Sequence, residues 1–190
     1  MLSRSKRYHL ALSGKYMKRE FKEYIDKNLP EDKYCDKKDV NGDRVPEGVC
    51  VYGDWDYPEV LAGIADPPSL FYYEGDLSVC ELPLIAVVGT RNCNIYGEKI
   101  AKSVVSLARL YGVGLVSGMA KGIDMCAHKR ALEIKLPQVA VVPEPLSKLN
   151  PERRKFAREI VEAGGLVISE FDEERWEFFK GQYITRNRII

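Results

Sequence analysis

The stretch LVSGMAKGIDMCAHKRAL, from Leu115 to Leu132, decides the fold. It opens as an apolar run, breaks into small residues around Gly118 and Gly122, and places Lys121 between them. It then takes up the 3.6-residue apolar spacing of a helix. A buried strand that passes through a glycine loop into a helix is the repeating unit of a parallel α/β sheet. The pattern recurs on both sides. LIAVVGT is an apolar run over 84–90 ending around Gly89, and a helix follows over 96–111 with Ile100, Val104, Leu107 and Tyr111 on one side. VGLVSG is the next strand, with a helix over 124–134, and QVAVVP is the third. Asn150 and Pro151 supply an N-cap and a first-position proline for a helix running to Gly164 and Gly165, after which LVISEF is the fourth strand. Strands are therefore expected near 84–89, 113–117, 138–142 and 166–170. Parallel strands need crossovers, so the alternation predicts an α/β, three-layer, Rossmann-like parallel sheet with helices on both faces.

Upstream, residues 7–28 read as a helix with a weak point at Gly14, and Leu10, Met17, Phe21, Tyr24 and Ile25 share one face. Residues 29–48, with Pro30, Pro46, Gly42 and Gly48 among many charges, read as a linker. Residues 49–75 read as a short strand, a turn, a short helix broken by Asp66-Pro67-Pro68, and a strand over Leu70–Tyr73. The expected organisation is an N-terminal helical and linker region over 1–48 and an α/β domain over 49–190.

The 190 residues, 45% of them hydrophobic, suffice for a core, and the net charge of +1 selects no partner by itself. Its distribution is more informative: residues 1–30 hold eight basic against three acidic residues, residues 31–83 are acidic, and the remainder returns to a basic excess. The five cysteines are Cys35, Cys50, Cys80, Cys93 and Cys126; an odd count without C-x-x-C supports neither a disulfide framework nor a zinc site, so no metal is expected. No apolar run reaches the ~18 residues of a membrane span, and the basic N-terminus lacks a signal-peptide core, so the expected location is cytoplasmic.

Ligands of such sheets bind beyond the carboxyl ends of the strands. Two loops there carry suitable groups. In GTRNCNIYG, Gly89 allows close approach, Thr90 brings a hydroxyl and Arg91 a planar fork for phosphate, with a helix N-terminus after it. In the opening stretch, Ser117, Gly118 and Gly122 are expected to turn backbone N–H groups toward one anion nest, with Lys121 as its charge. Asp124 is read as a helix cap and His128 as its i,i+4 partner; neither is read as catalytic. The glycines of GVGLVSG precede their strand, which rejects a dinucleotide fingerprint. From the residues alone, the reading stops at a phosphate-binding α/β domain.

Together YPEVLAGIADPPSLFYYEG, AVVGTRNCNIYG, LVSGMAKGIDMCAH, GGLVISE and TRNRII resemble the DprA/Smf family of DNA-processing proteins, in order and spacing, over roughly residues 50–190. The resemblance implies an extended Rossmann-like domain that binds single-stranded DNA, works with a RecA-type recombinase in natural transformation, and is not known as an enzyme. It implies no cofactor and allows a homodimer. It implies that Arg91, Lys121, Arg186 and Arg188, with Asn187 between the last two, sit near the bound strand, and that Gly89, Thr90, Gly97, Ser117, Gly118 and Gly122 shape the site. Tyr96 and Tyr183 are the aromatics available for stacking on bases.

Three departures from the family pattern accompany this. Pro143-Glu144-Pro145 stands where a glycine-bearing loop is usual, and Glu144 is expected to repel a nearby phosphate. The family continues beyond the equivalent of Ile190, so an incomplete sheet is expected, with its end at residue 190 exposed or completed by another chain. Residues 1–48 match only faintly. Two alternatives stand beside the family reading. One is a Rossmann-like phosphoribohydrolase, whose Pro-Gly-Gly-x-Gly-Thr-x-x-Glu signature is absent here. The other is a regulatory remnant that has lost its ligand site.

Overall fold

The computed structural model describes residues 4–13, 22, 23, 25, 27, 48–174 and 176–190. The expected weak point at Gly14 and nearly all of the expected linker lie outside the described residues. The chain divides into two compact units, Met1–Tyr72 and Tyr73–Ile190. The division falls within a strand, later than the boundary at residue 48 read from composition.

In the first unit, α1 (Arg4–Ser13) precedes strand β1 (Val49–Val51), the short helix α2 (Glu59–Ala62) and the start of β2 (Leu70–Gly75). β1 and β2 are antiparallel, with Cys50 opposite Phe71. Their inward residues Val49, Val51 and Leu70 pack with Tyr8, Ala11 and Leu12 of α1. Tyr52, Tyr57 and Phe71 follow one another in edge-to-face contacts at 5.2 and 5.6 Å. Arg7, counted in the sequence among the basic N-terminal residues, is fully buried, and its Nη2 lies 2.6 Å from Asp54 Oδ1. The other Asp54 oxygen accepts the Val51 N–H, so both ends of this buried carboxylate are satisfied.

The second unit holds the parallel sheet: β3 (Leu84–Ala86), β4 (Gly114–Ser117), β5 (Gln138–Val142) and β6 (Leu166–Ser169), side by side in that order. The registers pair Ile85 with Leu115, Val116 with Val139, and Ala140 with Val167. Every residue of β4, β5 and β6 is buried, odd and even positions alike, which is why their sequences read as unbroken apolar runs. The crossovers are helices α3 (Ile95–Leu110), α4 (Ile123–Glu133) and α5 (Pro151–Glu162). α3 packs on α4 and β4, α4 on β4 and β5, and α5 on β5 and β6. The short helix α6 (Gln182–Asn187) follows β6.

Three features differ from expectation. β3 ends at Ala86; one more bond, Val87 N–H to Val116 O, follows before the chain turns away at Gly89. The buried stripe of α3 is Ala101, Val105 and Ala108, whereas Ile100, Leu107 and Tyr111 are exposed. The cause is the neighbour: Ala127 and Ala131 of α4 meet α3 in the same core cluster, and small residues let the helices approach closely. At the end of the chain Ile189 is buried and Ile190 half-buried, rather than fully exposed. Asn150 caps α5 as expected, its Oδ1 accepting the Arg153 N–H at 2.9 Å, with Pro151 in the first turn.

Candidate functional site

β3 and β4 are adjacent and parallel, so the loops that leave their carboxyl ends start side by side. Asp124 binds them together. Its Oδ1 accepts the N–H of Gly89 and its Oδ2 the N–H of Gly118, both at 3.2 Å. The hydroxyl of Ser117 donates to Val87 O at 2.6 Å, and the Ile123 N–H donates to Thr90 O at 3.2 Å. Gly122 has φ +90°, a region that favours glycine, and a Cβ there would fall on the carbonyl of Thr90. A Cβ on Gly118 would fall inside the guanidinium of Arg186. These two glycines serve close packing of one piece of chain on another.

This arrangement corrects two expectations. The N-cap of α4 is Gly122, without a side-chain bond, so Asp124 does not cap the helix. Its carboxylate, 3% exposed, bridges two loops instead. Of the expected nest of Ser117, Gly118 and Gly122, the Gly118 N–H is taken from within: it donates to Asp124, whose other oxygen accepts from Gly89.

His128 also takes another partner. Its Nδ1 lies 2.7 Å from Gln138 Oε1 on β5, and its ring meets Phe156 of α5 edge-on at 6.3 Å. The ring is fully buried, and burial lowers its pKa, against opposing contributions from the Gln138 bond and Asp124.

Of the expected cations, Arg91 and Lys121 are exposed. The Arg91 guanidinium lies over the Tyr183 ring, 4.8 Å from its centroid, which orients the fork without burying it. Thr90 Oγ1 accepts the Asn92 N–H, Tyr96 is 73% exposed, and the Gly97 N–H donates to the capping Asn94. Arg186 behaves differently. It is 5% exposed, and its Nη1 donates to Gly118 O at 2.7 Å and to Val141 O. Burial lowers its pKa, and nearby Asp124 opposes the shift. Its guanidinium thus joins the ends of β4 and β5 rather than facing outward. Arg188 pairs both terminal nitrogens with Glu170 at 2.6 and 2.7 Å, and Asn187 between them is exposed. Glu144, expected to repel phosphate, forms an ion pair with Arg153.

The structure thus joins Gly89, Thr90, Ser117 and Gly118 through hydrogen bonds, packs Gly122 against Thr90, and leaves Arg91 and Lys121 exposed around them. The bridging role of Asp124 was missed because an aspartate in the first turn of a helix carries the same local signal as a cap. The internal roles of Arg186 and Arg188 carry no local signal at all.

A parallel α/β sheet whose first two loops are tied by a buried carboxylate, with exposed cations beside them, defines a Rossmann-like α/β domain. Residues 48–190 match the family described as DNA recombination-mediator protein A, and the chain belongs to that family, the DprA/Smf proteins. It is 32% identical over 173 residues to Protein Smf of Borreliella burgdorferi, covering 85% of this chain and 52% of that protein. It is 36% identical over 134 residues to DNA processing protein DprA of Streptococcus pneumoniae, covering 70% and 47%. The crystal structure of the S. pneumoniae protein superposes with a TM-score of 0.64 at 34% identity, over 74% of this chain and 49% of that one. DNA processing protein A from Helicobacter pylori, whose structure concerns its mode of binding single-stranded DNA, superposes with a TM-score of 0.60 at 26% identity, over 70% and 60%. The chain spans about half the length of these curated relatives. Among the described residues, no helix is long and apolar enough to cross a membrane.

Proposed function

We propose that this chain binds single-stranded DNA at the loops after β3 and β4, as a non-enzymatic DNA-processing protein. Arg91 and Lys121 are the phosphate contacts, and Tyr96 and Tyr183 the stacking surfaces. One observation carries the reading. Asp124 holds Gly89 and Gly118 on a single carboxylate, which fixes the loops bearing Arg91 and Lys121 side by side at the ends of adjacent strands. Arg186 and Arg188 act by positioning: the first joins the ends of β4 and β5, and the second secures the end of the chain on Glu170. The further reading, that the bound strand is handed to a RecA-type recombinase in the cytoplasm during recombination and that a homodimer does so, rests on family membership.

The test is fluorescence anisotropy with a mixed-sequence oligonucleotide at several salt concentrations. Each phosphate neutralised on a single strand contributes roughly −0.7 to the log–log salt slope. Arg91→Ala and Lys121→Ala should each weaken binding to all sequences alike and flatten the slope by about that amount. Lys129→Ala, on the exposed side of α4, should leave both unchanged. Equal affinities for all three variants would remove these loops as the interface. Absence of binding by the parent at low salt would favour a chain that has lost its ligand.

A further inference from the structure

The five cysteines show no metal spacing along the chain, yet the fold brings two of them together with a carboxylate. Cys93 lies in the loop after β3, Glu98 in the first turn of α3, and Cys126 near the start of α4. The two sulfurs and a Glu98 oxygen lie within 4.8 Å of one another, and all three residues are half-buried. Cys93 Sγ is 3.9 Å from Glu98 Oε1. We propose that Cys93, Glu98 and Cys126 form a binding site for a soft divalent cation, zinc, with its fourth tetrahedral position open to solvent.

Two arguments support this. The first is geometric. With Zn–S near 2.3 Å and Zn–O near 2.0–2.2 Å, ligand atoms around tetrahedral zinc are roughly 3.4–3.8 Å apart. The three atoms are within about an ångström of that spacing, and each comes from a different element, so an ion would cross-link the Arg91 loop to two helices. The second is chemical. Two thiolates and a carboxylate make a donor set that selects zinc over magnesium or calcium, which prefer oxygen alone. The chemistry balances without a redox partner: each thiol that ligates zinc forms a Zn–S bond and gives its proton to solvent.

The experiment uses the full chain, reduced and desalted. Zn²⁺ is titrated against a chromogenic chelator, and Co²⁺ is then substituted to read thiolate-to-cobalt charge-transfer absorption. One equivalent is expected, with charge-transfer intensity from two thiolates. Cys126→Ala should lower affinity by about 100-fold or more, beyond the ~10–100-fold cost of losing an outer-sphere partner, and remove about half the charge-transfer band. Glu98→Gln, which leaves both thiols in place but exchanges a carboxylate ligand for a weaker neutral oxygen, should keep the band and lower affinity by about 100-fold, beyond the ~10–100-fold cost of losing an outer-sphere partner. Cys35→Ser should bind as the parent does. Circular dichroism confirms that each variant is folded. The proposal fails if the reduced parent takes up no zinc, if Cys126→Ala and Glu98→Gln bind as tightly as the parent, or if the two thiols prove to be a disulfide and the reduced form ignores the ion. Oligonucleotide affinity does not enter this test, so loss of the DNA-binding reading would leave it intact.

Discussion

The carboxylate of Asp124 accepts the backbone N–H of Gly89, 35 residues earlier in the chain. Its second oxygen accepts the N–H of Gly118, so one side chain ties together the loops that follow two adjacent strands. Asp124→Ala would leave the buried Gly118 N–H without an acceptor, at about 1–3 kcal/mol, whereas the exposed Gly89 N–H can turn to water. A loss of roughly 1–3 kcal/mol is expected from urea denaturation. Asp124→Asn keeps one acceptor oxygen and should lose about half as much. Near-parental stability of the alanine variant would show that the bridge does not hold the loops.

A second prediction concerns Gly118 and Arg186. A methyl group on Gly118 would occupy the space of the Arg186 guanidinium, which donates to Gly118 O and Val141 O. Gly118→Ala should cost about 1–3 kcal/mol by overpacking. In an Arg186→Met background the same change should cost at least ~1 kcal/mol less, because the clash is gone. Additive free energies in this double-mutant cycle would refute the contact.

The sheet was legible because β4, β5 and β6 are buried on both faces, which writes them as apolar runs that polar loops interrupt. The start of α5 was legible through Asn150 and Pro151, a local cap that packing does not override. The packed face of α3 was not. Its bulky apolar residues Ile100 and Leu107 look inward by hydropathy, but contact with Ala127 and Ala131 selects Ala101 and Ala108. At the site, the loops were readable from their glycines and cations. The partners were not, because Asp124, Arg186 and Cys126 act on residues remote in the chain.

Cys80 offers a test of burial in the second unit. Burial, followed by repulsion from Glu81, raises its pKa from 9.0 to about 12. The folded thiol stays neutral where an unfolded one ionises. The unfolded chain therefore releases its proton first, and stability should fall as pH rises from about 9 toward 12. At pH 8 native Cys80 should resist iodoacetamide, and denaturant should restore reaction, as peptide mass spectrometry would show. Rapid labelling of Cys80 in the native chain would contradict its burial.

The last prediction rests on His128. The ring is fully buried, with Nδ1 against Gln138 and Phe156 beside it, and desolvation lowers its pKa from 6.5. The sign follows from linkage: the unfolded state binds the proton more readily than the folded state, so stability rises with pH wherever that difference persists. Above about pH 6.5 both states are neutral at this site and the contribution is flat. Below it, only the unfolded chain is protonated, and stability should fall by up to about 1.4 kcal/mol per pH unit until the folded ring also titrates. Asp76 does not confuse this window. The Ser78 backbone and hydroxyl bonds hold its carboxyl below 3.8, so its own contribution is lost only in stronger acid. Urea denaturation at pH 7.5, 6.5, 5.8 and 5.2 would trace the curve. His128→Gln should lower stability at pH 7.5 through imperfect repacking against Gln138, yet flatten the slope between pH 6.5 and 5.2. His9→Gln, a change at the second histidine, provides the control. A parent curve that stays flat through this range, or a slope that survives His128→Gln, would show that acid destabilisation originates elsewhere.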